Sequence, residues 1–396
     1  MSRIIVDVHA LQTVPPSNLN RDDTGSPKTA LYGGVPRARV SSQAWKRATR
    51  QHFNRILDAS QLGVRTKRVA ELLAERIEKL EPSLEGAPEA LALAAETLKA
   101  ATGSKIEVPK RKADAAKKAG EKEPAPESSY LMFLSARQLD RLAEIAVEGA
   151  KDITAFFKNK ENKARAREAA DTLHSVDIAL FGRMVADSSD INVDAAAQVA
   201  HAISVHQVET ESDYFTAVDD RTSDAEPGAG MIGTIDFNSA TLYRYAALDV
   251  NLLAANLGKG LREDESAATP VRRAVEAFLD GFVASLPTGK INTFGNHTLP
   301  EAVIVKIRSS RPISFVGAFE EPVAGNGSGH VPGACEQLAA HAADIERAYG
   351  DTGTSSWVLR LGKATEPLAA LGTEIPSLSQ LIDTVGQTVA DRLERQ

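Results

Sequence analysis

Between Leu19 and Arg50 the chain carries Arg21, Lys28, Arg37, Arg39, Lys46, Arg47 and Arg50, interrupted only by the acids Asp22 and Asp23. A Ser41-Ser42 cap opens a helix on which Gln43, Lys46, Arg47, Arg50 and Asn54 follow the spacing of one face. Trp45, Ala48, Phe53 and Ile56 fall on the opposite face and are expected to pack against other elements. The first helical turn offers free N–H groups, two hydroxyls and the positive end of the helix dipole, which together attract an anion. Arg21, Lys28, Arg37 and Arg39 lie on the preceding loop and can converge with the helix. Cations spread over several turns of chain suit a phosphodiester backbone better than one small anion. A solvated basic face is the alternative.

Other chemistry finds less support. Asp22-Asp23 could hold a divalent cation, but adjacent acids in a turn also serve as caps or ion-pair partners, and no third acid has matching local spacing. His201 and His206 are five apart, on opposite faces of a strand, so they do not share a metal. Neither Gly258-Lys259 nor Gly289-Lys290 completes a phosphate-binding loop, and no GxSxG motif is present. One cysteine, Cys335, excludes an internal disulfide and cysteine-built zinc sites. No cofactor, no metal and no catalytic residue is expected.

The 396 residues carry a net charge of -7, an average over two unlike parts. Residues 1–70 hold 12 lysines and arginines against four acids, a net of +8, which leaves -15 for the other 326. A basic segment on an acidic body can bind polyanions locally, or can simply pair with that body. No long apolar run is present, so a cytoplasmic protein without membrane contact is expected.

These residues must be positioned by a framework. Alternation predicts a strand over 3–11, turn chemistry a long loop over 12–40, and helical periodicity a helix from Ser42 to about Leu57. A helical block follows, with periodic stretches at 69–80, 89–100, 138–150 and 161–174. Within it, residues 104–127 are dense in charge and poor in apolar groups and read as a mobile surface insertion. Strands are expected at 176–184, 200–208, 233–248 and 302–307, with a helix capped by Thr269 before the last of these. The order β, α, inserted helices, β, β, α, β is that of a split βαβ sheet, ferredoxin-like or RRM-like. Beyond residue 309 a helix over 335–349, a strand over 357–361 and a helix from Leu378 have no assigned place on this sheet.

The segments LNRDD (19–23), YGG (32–34), RARVSSQAWKRA (37–48), DIALFGRM (177–184), AHAISVHQVE (200–209), YFTAVDD (214–220) and FNSATLYRYA (237–246) resemble the CasC family. That family supplies the backbone subunit of the type I-E CRISPR surveillance complex, Cascade. The resemblance runs in order to about residue 320, departs over 104–127 and is loose near the C-terminus. It implies an α+β fold: an RRM-like palm (1–58, 176–208 and 236–396), helical fingers (59–175) and a thumb β-hairpin (209–235). Its partners would be CRISPR RNA, further copies of itself, other Cascade subunits and, through guide pairing, target DNA. By motif position Arg21, Ser41, Gln43, Lys46, Arg47 and Arg50 would meet guide phosphates, with Lys28, Arg39 and Ser42 beside them. Met184 would press on bases, and Ile232 would pack near a displaced one. A related possibility is a type III-like backbone subunit that cleaves RNA with a metal at Asp22 or Asp23.

Overall fold

The computed structural model describes residues 3–122, 124–185, 191–218, 229–258, 266, 268–325, 327, 329–350 and 354–396. The chain divides into two compact units. One comprises residues 1–53, 197–250 and 275–396, the other residues 54–196 and 251–274.

The first unit is built on a ten-stranded sheet: β1 (Ile5–Ser17), β2 (Thr29–Tyr32), β3 (Val35–Val40), β4 (Ala197–Val199), β5 (Ala202–Ser204), β6 (Glu211–Val218), β7 (Ala229–Asp249), β8 (Ala302–Arg308), β9 (Ser355–Arg360) and β10 (Thr373–Glu374). Its order is β10-β9-β8-β1-β7-β5-β3-β2, with β4 and β6 also paired to β7, and only the β9–β10 pair is parallel. The expected loop over 12–40 is largely strand. β1 continues to Ser17, and β2 and β3 form a hairpin whose turn holds Gly33 at φ +60°. A Cβ at Gly33 would sit 1.7 Å from the Glu320 carbonyl oxygen, so this turn packs where no side chain fits.

Along β1 the apolar Val6 and Val8 alternate with Ile5, Asp7 and His9, and the strand is buried on both faces over most of its length. On one side Val14, Val40, Trp45 and Leu242 form a core beneath the helix α1 (Ser42–Ile56). Gly281, in the helix Ala268–Ala284, would bring a Cβ within 2.9 Å of Thr49 and 3.1 Å of Phe53, so its bare backbone lets that helix approach α1 closely. On the other side Leu11, Tyr243 and Ile304 pack with Phe315, Phe319, Leu338 and Leu368. The C-terminal residues, unplaced from sequence, therefore extend the sheet through β9 and β10 and cover its second face with the helix Val331–Tyr349 and the turn Lys363–Leu371.

Charge is buried in that second face. Arg308, fully buried, donates to Asp7 at 2.8 Å and to Glu346 at 2.7 Å, and Asp7 also accepts from the Tyr245 hydroxyl and the Ile313 N–H. Burial raises the Asp7 carboxyl despite these partners. Burial, and then the charges of Arg308 and Lys306, hold His9 neutral far below its ordinary value. His9 stacks on Phe315 and shares a 2.8 Å hydrogen bond with the Tyr243 hydroxyl. These contacts tie residues 313–315 to the sheet.

The second unit is helical. Val69–Leu80, Pro88–Thr102, Ala136–Glu148 and Lys160–Asp171 enclose a core of Leu73, Ile77, Leu98, Leu142 and small alanines. The segment expected as a strand at 176–184 is instead a helix, Val176–Phe181. Asp177 fixes it by accepting from the Gly63 N–H at 2.9 Å, so this short helix belongs to the helical unit. The unit is accordingly wider than 59–175 and also takes in residues 251–274, where Asn256 donates to the carbonyls of Ala179 and Asp194. Residues 104–127, expected as a mobile insertion, hold a strand pair, Ile106–Glu107 with Glu127–Ser128, and a helix, Lys110–Ala119. Three anchors hold it: buried Ile106, buried Ala116 and the Lys112–Glu127 ion pair at 2.6 Å. Residue 123 of this segment lies outside the described residues.

Candidate nucleic-acid interface

α1 forms as its spacing predicts. Ser41 caps it, its Oγ accepting from the Ala44 N–H at 3.3 Å, while the Ser41 N–H donates to Asn20 at 2.9 Å. The cap is thereby tied to the LNRDD segment, and Ser41 itself is buried. Trp45, Ala48 and Phe53 are buried, whereas Ile56, expected on the buried face, is 40% exposed because the helix ends there. Trp45 lies under the Arg244 guanidinium, 3.7 Å from the ring centroid, and Arg244 reaches Gln12 at 2.6 Å. Burial lowers Arg244 to about 9, still a cation at neutral pH.

On the other face Gln43 and Arg47 are exposed, and Ser42, Lys46 and Arg50 are half-buried. Partial burial lowers the Lys46 ammonium from its ordinary value without an acid to offset it. Arg39 donates through Nε to the Thr29 carbonyl at 3.1 Å and lies 3.3 Å from His201. Burial, and then the charges of Arg39 and Lys28, depress His201, which places Lys28 in the same cluster. Lys28 hydrogen-bonds through its backbone to Asn20, and Arg21 bridges to Pro27. Asn20 thus joins the loop cations to the helix cap, a role that no local spacing announced.

Arg37 does not belong to this surface. It is fully buried and donates to the carbonyls of Ser204, Phe319 and Tyr32 at 2.9, 2.8 and 3.2 Å. Asp22 is exposed, but one of its carboxylate oxygens accepts from the Thr24 N–H, the Thr24 hydroxyl and the Ser26 N–H, at 2.9, 2.7 and 3.1 Å. Those bonds hold its carboxyl below the usual range. Among the described residues no group of three or more His, Cys, Asp or Glu is arranged to hold a metal ion.

β6 and the first half of β7 form a hairpin in which Thr216 faces Ile232 and Tyr214 faces Thr234. Ile232 is 60% exposed and Tyr214 62%, and the two lie diagonally on one face. Tyr214 was not singled out from sequence. Residues 219–228, assigned to the end of the thumb, lie outside the described residues.

Met184 belongs to the helical unit and is 85% exposed. Gly182, at φ +76°, turns the chain where a Cβ would meet the Val193 carbonyl at 2.7 Å. Buried Arg183 then locks the turn by donating to the carbonyl of Ile191 at 2.7 Å and to Asp171 at 3.1 Å. The turn thus holds an apolar side chain in water.

Among the described residues no helix is long and apolar enough to cross a membrane. No curated protein matches the chain. Residues 6–384 match a family described as CT1975-like protein. Two solved structures cover 97% of this chain. One, titled "CRISPR RNA-guided surveillance complex, pre-nicking", is 34% identical over 100% of its own chain with a TM-score of 0.81. Another, titled "CRISPR RNA-guided surveillance complex", is 32% identical over 99% of its own chain with a TM-score of 0.71. From a match that spans almost its whole length, the chain belongs to the CT1975-like family, the CasC-type backbone subunits of Cascade.

Proposed function

We propose that this chain is a non-catalytic, cytoplasmic backbone subunit of a type I-E Cascade that binds CRISPR RNA and presents it for pairing with target DNA. In this reading the first unit is an RRM-like palm, residues 209–235 are its thumb and the helical unit is the fingers. The neighbouring order β8-β1-β7-β5, antiparallel throughout, supports the RRM-like assignment. Further copies of the chain and other Cascade subunits complete the assembly.

One observation carries the proposal. The sheet face bearing Tyr243 and Tyr245, where an RRM stacks bases, is covered by residues 313–371, while Lys28, Arg39, Lys46 and Arg47 remain at the surface around a helix cap. An RRM-like protein acting alone on RNA through its sheet is therefore disfavoured. Phosphate contacts fix register without reading sequence, as a guide-holding subunit requires, since base pairing supplies the specificity. Type III-like cleavage at Asp22 or Asp23 gains little support, because Asp22 caps its own turn.

The test is guide-RNA binding by the Lys28→Ala, Lys46→Ala, Arg47→Ala variant across a salt series. Each lost phosphate contact lowers the slope of log affinity against log salt by about 0.7, so the slope falls by about 2. An unchanged slope with a native fold would sink the assignment. Regular, metal-dependent fragments of bound RNA would favour cleavage instead.

A further inference from the structure

His201 is exposed and stands between β4 and β5. β3 pairs with β5 through Arg39 opposite Ile203 and Val40 opposite Ala202, and the same register carried one residue further sets His201 opposite Ser41, the cap of α1. Its Nδ1 lies 3.3 Å from Nη1 of Arg39. A guanidinium only donates, so Nδ1 accepts, which makes the imidazole neutral with its proton on Nε2. Backbone bonds fix the surrounding cations: the Arg39 N–H donates to the Lys28 carbonyl and the Lys28 N–H to the Asn20 carbonyl, both at 2.9 Å. Among the described residues the charged groups that act on His201 are Arg39 from β3 and Lys28 from the loop before it, both cations. Partial burial, and then these two charges, lower its pKa from the ordinary value.

We propose that His201 is a further phosphate ligand of this interface and takes up a proton when RNA binds. The inference rests on the RNA-binding reading above and adds to it a ligand and a linked protonation. A phosphate among Lys28, Arg39 and the first turn of α1 neutralises the charges that keep His201 unprotonated. Nδ1 then gains a proton from solvent, ceases to accept from Arg39, and the ring donates from both nitrogens. Arg39 is released to the same phosphate, so one protonation supplies two donors. A neutral His201 that served only to orient Arg39 would take up no proton. Because the complex holds more protons than the free chain, affinity rises as pH falls. The gain starts below the raised pKa of the complex and is complete below the depressed pKa of the free protein.

The test is guide-RNA binding by the full chain at constant ionic strength from pH 8 to pH 5.5, with circular dichroism confirming the fold at each pH. Wild type should bind about tenfold tighter at the acid end, the ratio that a shift of about one pKa unit produces. His201→Gln keeps an acceptor for Arg39 but takes no proton, so most of this pH dependence should vanish. His201→Lys is charged throughout the range. It should flatten the profile as well, and at pH 8 its slope of log affinity against log salt should be steeper than that of wild type by about 0.7. Calorimetry of wild type at pH 6.5 in buffers of different ionisation enthalpy should show net proton uptake on binding, reduced in His201→Gln. A natively folded His201→Gln with the pH profile and proton uptake of wild type would overturn the proposal. Failure of wild type to bind RNA at any pH would overturn the functional reading instead.

Discussion

Arg37 and Arg39 stand two apart on β3 and so share a face, yet one is a structural tie and the other a surface cation. The Phe319–Glu320 segment lies over Arg37 and supplies carbonyl acceptors, whereas the Arg39 side chain meets Thr29 and His201 among the described residues. The same contrast holds more widely within this unit. Arg308, Arg244 and Arg37 are buried, each with several partners, while Lys28, Lys46 and Arg47 carry no ion pair among those described. Guanidinium groups serve where the chain must be held, and the surface keeps charge that a polyanion can neutralise.

Substitutions can break that division, and the largest effect is expected at Arg308. Arg308→Leu leaves the buried Asp7 carboxyl without its guanidinium and Glu346 with Lys306 alone at 3.5 Å, and should cost about 3–5 kcal/mol. Chemical denaturation followed by circular dichroism measures it. A loss below about 1 kcal/mol would show that the buried pair contributes little. Trp45→Ala should cost a similar 3–5 kcal/mol, because it empties the space between α1 and Arg244, with RNA affinity falling only as far as folding does.

Arg37→Ala strips donors from four carbonyls and should cost about 2–3 kcal/mol without altering the salt slope of RNA binding. Arg39→Ala should do the reverse, with stability within about 0.5 kcal/mol and the slope lower by about 0.7. Equal stability losses in the two would erase the distinction between them.

The smallest effect concerns pH. His9 is neutral in the fold but takes a proton near pH 6.5 in the unfolded chain, so below that pH the unfolded state binds more protons. The contribution of neutral His9 is complete above pH 6.5 and is lost as pH falls below it. Denaturation midpoints should drop between pH 7.5 and 5.5, and drop less in His9→Gln. Identical drops would assign the effect to the other depressed histidines, His174, His201 and His206.

The amphipathic α1 was legible because its spacing depends only on local sequence, and so were the strands β7 and β8. Alternation set Asp7 and His9 on one face, and the cover from residues 313–371 that buries it is distant in sequence. The same remoteness hid Arg37, whose partners come from Ser204, Phe319 and Tyr32. The 176–184 error had a different origin: a short apolar run fits strand and helix alike, and the Asp177 bond to Gly63 decided it. Within the interface, periodicity marked the helix cations, but Asn20, His201 and Tyr214 became visible only in three dimensions.

β7 is one unbroken strand from Ala229 to Asp249, and its first nine residues lie ahead of Asn238, where pairing with β1 ends. At about 3.3 Å per residue that overhang measures about 30 Å. If the hairpin touches the next copy along a guide, this length caps the distance between copies, because the ribbon cannot stretch. In the proposed assembly the strand would then serve as a ruler that sets the longest spacing of copies along a guide. Changes to the hairpin end would alter what is touched at the end of the ruler while leaving its divisions unchanged.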